Sequence, residues 1–301
     1  MWGGTDESDS IATIHRAVDQ GVTLIDTAPV YGFGRSEEIV GKALEQGGLR
    51  QRVLIATKAG LAWKDGRVHR DARASRIREE VHASLRRLRT DWIDLYQVHW
   101  PDPNTMIGDT ALALESLRAE GKIRAIGVSN FQPPQMSEFR AFAHLDAVQP
   151  PYNLFEREIE HNVLRYAKRS HLTVLCYGAL CRGLLSGRMT ADTRFAGDDL
   201  RNVDPKFQGE TFLRHLEAVL ALSRLAHERF GKSVLALAVR WILDQGPTIA
   251  LWGARRPGQL DAVGEIEGWQ IDDATKGEID QILSRCVGKP IAPDFMAPPT
   301  R

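Results

Sequence analysis

Residues 53–59 (VLIATKA), 77–88 (IREEVHASLRRL) and 93–100 (IDLYQVHW) decide the fold. The first and third are short apolar runs. Between them Ile77, Val81, Leu85 and Leu88 recur at a period near 3.6 with Arg and Glu facing away, which predicts an amphipathic helix. A strand, a helix and a strand in that order predict parallel pairing, because the crossover helix returns the chain to the same end of the sheet. Working outward, similar runs stand at 23–28, 123–129, 147–152, 173–178 and 248–253, most of them followed by helical patterns. A doubly wound sheet and an eight-stranded barrel both fit this alternation. A chain of 301 residues with no Pro- or Gly-rich linker favours the second, a single α/β domain over 1–301 folded as a (β/α)8 TIM barrel. Only seven runs are visible, and the first element is a helix patterned on Ile11, Ile14 and Val18. The barrel is therefore expected to lack its first strand and N-terminal hairpin, with Met1–Gly4 as the loop after that strand, through a start assigned too far downstream or a truncation. Such a fragment is expected to be unstable or aggregation-prone through its bare strand edges. A seven-stranded open sheet is the competing reading.

The 39 Lys and Arg residues balance 39 Asp and Glu residues. A chain of zero net charge has no field to draw in nucleic acid or an anionic membrane. No apolar run approaches the roughly 18 to 20 residues that span a bilayer, and MWGGTDESDS carries neither region of a signal peptide. A cytoplasmic protein is expected. Cys176, Cys181 and Cys286 are too few and too badly spaced for a disulfide framework or a four-ligand zinc site, so they read as free thiols and no metal is expected.

In YGFGRSEEIVG, residues 31–41, Gly32 and Gly34 imitate a dinucleotide fingerprint. The third glycine would fall at Glu37, whose carboxylate would repel a pyrophosphate, so the segment reads as a strand-to-helix turn. Active sites of parallel barrels lie at the C-terminal ends of strands. There the sequence offers Asp26, then Tyr31 five residues on, Lys58 and His99. Together they form a proton-delivery unit. A free tyrosine titrates near pH ~10, too high for a good acid at neutral pH unless a cation stabilises the phenolate. Lys58 at ~3.5 Å and an effective dielectric of about 20 would be worth on the order of 4 to 5 kcal/mol, lowering the tyrosine by up to roughly three units. A buried ammonium needs a counter-ion, which Asp26 supplies. His99 is left to donate a hydrogen bond to a carbonyl oxygen and orient the substrate. A Schiff-base aldolase built on Lys58 is the competing chemistry, and Asp26 opposes it by keeping the amine protonated.

The segments IDTAPVYG, VLIATKAG, IDLYQVHWPD, IRAIGVSNF and TIALWGARRPGQL resemble the successive signature segments of the aldo-keto reductases over nearly the whole chain. The resemblance implies a (β/α)8 barrel whose catalytic tetrad falls on Asp26, Tyr31, Lys58 and His99. It also implies NADPH as cofactor and a small-molecule carbonyl substrate. Ser129, Asn130 and Gln149 would hold the nicotinamide carboxamide, and Tyr177 would stack on its ring. Gly178, Leu180, Arg182, Gly183 and Leu184 after it, with Gly253, Ala254 and Gln259, complete the implied cofactor set. Arg255 and Arg256 suit a 2′-phosphate, which the planar fork of arginine binds bidentately. YGALCRGLLSGR and the tail PDFMAPPTR resemble a bacterial branch of NADPH-dependent aldehyde and sugar-aldehyde reductases. The chain departs from the pattern at Ala262 and Val263, where many relatives carry a Glu-Asn pair on the adenine. The absent first strand also removes a Gly-rich turn beside the nicotinamide.

Phe33, Trp63 and Trp100, read as loop residues at the barrel mouth, are the candidate substrate pocket. Residues 182–211 hold few periodic apolar positions, and a loop of that length reads as a lid over the cofactor. The expected function is reduction of small aldehydes, sugar-derived ones among them. A cofactor-binding regulatory protein of the same fold is the alternative, and an intact tetrad argues against it.

Overall fold

The structure, a computed structural model, describes residues 6–288, 291 and 296–300. The loop expected at Met1–Gly4 lies outside them, as do residues 293–295 and 301 of the tail. Helix α1 (Glu7–Asp19) leads into β1 (Leu24–Asp26), α2 (Arg35–Gln46), β2 (Leu54–Ala59), β3 (Leu61–Lys64), β4 (Arg67–Arg70) and α3 (Ala74–Leu88). There follow β5 (Ile93–Val98), α4 (Ile107–Ala119), β6 (Ile123–Ser129), α5 (Pro133–Arg140), β7 (Ala147–Gln149), α6 (Val163–Arg169) and β8 (Thr173–Cys176). Two consecutive helices, α7 (Gly209–Phe230) and α8 (Val234–Leu243), precede β9 (Thr248–Ala250) and α9 (Asp273–Cys286).

Strands β1, β2, β5, β6, β7, β8 and β9 pair in that order, every pair parallel. The sheet curls with helices outside it, in the architecture of a (β/α)8 barrel lacking the first strand. Among the described residues β1 and β9 are its two edges. The expected run at 147–152 is cut to three residues because Pro150 and Pro151 bring no amide hydrogens to continue the ladder.

The helical stripe behaves as its spacing requires. Ile77, Val81 and Leu88 are fully buried, each side chain contributing about 1.5 to 3 kcal/mol on leaving water. The hairpin β3–β4 was not expected from the sequence. Trp63 pairs with Val68 and Lys64 with Arg67, so Asp65 and Gly66 form a two-residue turn, and their φ values of 50° and 75° are those a type I′ turn demands.

Alternation along each strand sends Thr57 and Tyr96 outward toward the helices. Glu37, the residue that broke the apparent dinucleotide fingerprint, is buried there and accepts from Thr57 Oγ1 (2.6 Å) and Arg87 Nε (2.7 Å). Nearby, Glu80 Oε2 accepts from the Gly60 amide at 3.0 Å, tying α3 to the end of β2. Burial pushes the Glu80 carboxyl up to about 7, against the pull of Arg76 and the Gly60 amide. In the unfolded chain the carboxyl ionises near its ordinary 4.5, so between these values the native state binds more protons and its stability falls as pH rises. The shift corresponds to about 3 kcal/mol. Glu80→Gln keeps an acceptor for Gly60 and is expected to flatten this slope in urea melts taken from about pH 4.5 to 7. A slope unchanged by the substitution would rule out Glu80 as its source.

Candidate active site

Strand register builds the site in layers. Lys58 on β2 stands opposite Gln97 on β5, and Gln97 opposite Gly127 on β6. Lys58 has no exposed surface; its Nζ donates to Asp26 Oδ2 at 2.6 Å and to the Thr27 carbonyl at 2.9 Å. The ammonium lies 5.2 Å from the centroid of the Tyr31 ring, which meets the His99 ring edge to face at 5.8 Å. The four residues singled out in the sequence therefore converge on one point at the C-terminal end of the sheet.

Burial opposes the Lys58 charge, but Asp26 and then Tyr31 outweigh it and hold the ammonium above its ordinary value. The tyrosine corrects an expectation. Burial raises the Tyr31 phenol above its ordinary value, Lys58 pulls it down and Asp26 pushes it back up, so the cation's effect is offset by its own counter-ion. Tyr31 thus holds its proton at neutral pH. Burial, reinforced by Lys58, places the His99 imidazole well below its ordinary value. It is neutral near pH 7, with one ring N–H to donate.

Two glutamines form the floor. Asp26 Oδ1 accepts from Gln149 Nε2 at 2.9 Å and from Gln97 Nε2 at 3.4 Å, while Gln97 Oε1 accepts from Gln149 Nε2 at 3.4 Å. The Gln149 amide spends its donors inside the protein, leaving its oxygen as the group suited to a carboxamide N–H. Gln97 was missed, although a polar residue on an apolar strand, two before His99 and facing the same way, is a readable signal. Gly127 makes room for it: a Cβ there would lie 2.7 Å from Gln97 Cγ and 3.2 Å from its Oε1. Gly127→Ala is expected to displace Gln97 and lower kcat/KM roughly tenfold, in the range a small misplacement of catalytic groups costs. Unchanged kinetics in a folded variant would show that Gln97 has no bearing on the tetrad.

The expected cofactor residues cross-link neighbouring strand ends. Ser129 Oγ donates to the Gln149 carbonyl (2.8 Å), Asn130 Nδ2 to the His99 carbonyl (3.0 Å), and the Tyr177 hydroxyl to Asn130 Oδ1 (2.9 Å). After β8, Gly178, Leu180, Gly183 and Leu184 run through a tight turn in which Cys181, Arg182 and Gly183 have φ of 44°, 53° and 90°. The Arg182 guanidinium is committed inside the protein to Asp204 (2.7 Å) and Glu156 (3.4 Å). Gly253 and Ala254 follow β9 and lead to the exposed Arg255 and Arg256. Gln259 Oε1 accepts from both of their amides, at 2.7 and 3.1 Å, and fixes that turn.

Phe33 and Trp63 stack with centroids 5.6 Å apart. Trp63 lies on β3 rather than in a loop, because the Asp65–Gly66 turn folds its segment back into a hairpin. Trp63, Trp100 and Tyr31 pack around Ala28, Val30 and Leu61, which places the aromatic wall beside the phenol. The segment expected as a lid is anchored by both buried polar and aromatic groups. Asp199, Asp204, Lys206 and Phe207 are buried, and short 3₁₀ turns at Leu200–Asn202 and Pro205–Phe207 order it.

A tyrosine, a buried Lys–Asp pair and a neutral histidine thus gather at the C-terminal end of a curled parallel sheet. The chain belongs to the aldo/keto reductase family, whose model matches residues 1–284. It is 60% identical to the aldo-keto reductase YhdN of Bacillus subtilis strain 168 over 302 residues, covering 100% of this chain and 91% of that protein. It is 36% identical to an NADH-specific methylglyoxal reductase of Escherichia coli strain K12, covering 86% and 83%. Among solved structures, a glycerol dehydrogenase, AKR11B4, from Gluconobacter oxydans superposes with a TM-score of 0.90 at 55% identity, covering 98% of this chain and 91% of that one. An aldo-keto reductase from Klebsiella pneumoniae in complex with NADPH gives 0.70 at 27% identity, covering 94% and 86%.

Proposed function

We propose that this protein is a cytoplasmic, NADPH-dependent carbonyl reductase that converts small aldehydes, sugar-derived ones among them, to alcohols within one barrel domain. The observation that carries the reading is the Lys58–Asp26 pair at 2.6 Å beneath a protonated Tyr31, with a neutral His99 beside it. When bound, NADPH supplies the hydride to the carbonyl carbon. The side chains handle the oxygen. His99 N–H and Tyr31 O–H converge on it, and Tyr31 passes its proton to the alkoxide as the charge develops. Lys58 then faces a phenolate, and Asp26 keeps the ammonium charged throughout. Run backwards, the phenolate takes the alcohol proton, which suits the glycerol dehydrogenase among the similar structures.

The residues fit the cofactor. Gln149 commits its amide nitrogen to Asp26 and Gln97, which suits its oxygen to accept from a carboxamide, and Arg255 and Arg256 put two exposed guanidinium groups on a turn braced by Gln259. The K. pneumoniae complex supports NADPH; the E. coli relative shows that a member can use NADH. Fluorescence titration with both cofactors is expected to favour NADPH, and replacing both arginines by Ala to narrow the preference. Equal affinities in the unmodified protein would refute the phosphate assignment. Loss of NADPH absorbance with a panel of small aldehydes tests the reaction itself. Tight NADPH binding without turnover on any aldehyde would favour the regulatory alternative.

A further inference from the structure

Behind the turn that follows β8 lies a closed ring of buried charge. Arg182 Nη1 stands 2.7 Å from Asp204 Oδ2 and 3.4 Å from Glu156 Oε1, while Lys206 Nζ stands 2.8 Å from Glu156 Oε1 and 3.2 Å from Asp204 Oδ1. Each cation touches both carboxylates, and the charges cancel. Side-chain exposure is 7% at Arg182, 4% at Glu156 and 0% at Asp204 and Lys206. Taking four charges out of water is so costly that an apolar set of similar volume is often as stable or more so. Stability alone does not account for the ring.

What the ring joins is informative. Glu156 belongs to the segment after β7 and is held by Asn153, whose Nδ2 donates to Glu156 Oε2 (2.7 Å) and to the Gly178 carbonyl (3.0 Å). Arg182 sits in the left-handed turn after β8, where Cys181 and Arg182 hold a conformation that side-chain-bearing residues adopt only under constraint. Asp204 and Lys206 belong to the segment before α7, where the Lys206 amide donates to Asp204 Oδ1 at 3.0 Å.

We propose that Asp204 and Lys206 are positioning residues for the cofactor: through Arg182 they hold the turn Cys181–Gly183, and with it residues 178–184, in the shape that binds NADPH. The inference rests on the cofactor reading above. Neither Asp204 nor Lys206 has exposed surface, so their influence passes through Arg182 and not through contact with NADPH.

The double variant Asp204→Asn/Lys206→Met removes one charge of each sign and leaves Arg182 paired with Glu156. In a variant shown to be folded by its melting curve, Kd and KM for NADPH are expected to rise about tenfold, the scale on which contacting residues couple. At saturating NADPH, kcat should stay within about threefold, since the transition-state contacts are intact. Lys206→Arg, which preserves the charge, should bind NADPH nearly as the unmodified protein does. A parental NADPH Kd in the folded double variant, or a loss confined to kcat, overturns the proposal. If the double variant does not fold, hydrogen exchange on the unmodified protein decides: NADPH should slow exchange at residues 154–157 and 204–207, and no change there overturns it. Failure of the unmodified protein to bind NADPH removes the cofactor reading and this inference together, whereas binding without a response in the ring removes the inference alone.

Discussion

Tyr31→Phe is expected to leave NADPH titrations and the melting curve near those of the unmodified protein while carbonyl reduction falls by about 10²- to 10⁴-fold, the usual worth of a positioned proton donor. The substitution removes one oxygen and keeps the ring, so the edge-to-face contact with His99 and the Lys58 ammonium below the ring survive. The remaining polar groups are poor substitutes. His99 carries one ring hydrogen, and losing it would leave an imidazole anion. Lys58 has its ammonium turned to Asp26 and the Thr27 carbonyl. Retention of more than about a tenth of the parental turnover would rule out Tyr31 as the acid.

Lys58→Met should be as damaging, and Asp26→Asn less so, because Asp26 acts through the charge of its neighbour. Removing the ammonium also strands a partly buried carboxylate, so Lys58→Met should lower stability as well, by about 3 to 5 kcal/mol for a broken buried pair. The pH dependence separates the two roles. The Lys58 ammonium is held above its ordinary 10.5 chiefly by Asp26, so whatever depends on its charge persists past 10.5 and is lost only as pH rises through the raised value. Without the carboxylate, only Tyr31 opposes burial and the loss should begin at lower pH. A pH–rate profile unmoved by Asp26→Asn but shifted by Lys58→Met would disprove the coupling.

The barrel and the tetrad were legible because each depends on short-range pattern. The α3 stripe needs only a period, and Asp26, Lys58 and His99 are marked by standing where apolar strands end. The hidden features depend on partners far along the chain. Glu37 shows in sequence only as the residue that breaks a glycine pattern, and its burial depends on Arg87, fifty positions on, closing over it. The partners of Arg182 are not visible in sequence, because Glu156 stands twenty-six residues before it and Asp204 twenty-two after it. The hairpin signal Asp65–Gly66 was present, but with four-residue strands on either side it is too short to dominate a reading based on longer runs. The tyrosine shift failed for a different reason. Lys58 alone would lower the phenol, but folding also strips water from Tyr31 and sets a carboxylate beside the lysine, and these outweigh it.

The floor of the site and its aromatic wall are built by different means. Asp26, Gln97 and Gln149 share their donors and acceptors in a closed lattice, and Gly127 leaves no spare volume beneath it. Phe33, Trp63 and Trp100 stand on a turn, a two-stranded hairpin and a loop; Trp63 and Trp100 share an apolar cluster with Tyr31, and Phe33 packs on Trp63. Directed evolution would find these two regions unequally forgiving. Libraries at positions 33, 63 and 100 can reshape the space above the phenol while the proton chemistry stays in place, because apolar contacts tolerate changes of shape. Libraries on the floor would mostly return inactive proteins, since each substitution there leaves a buried polar group without its partner. New substrate ranges for this scaffold should therefore be sought on the hairpin side of the mouth.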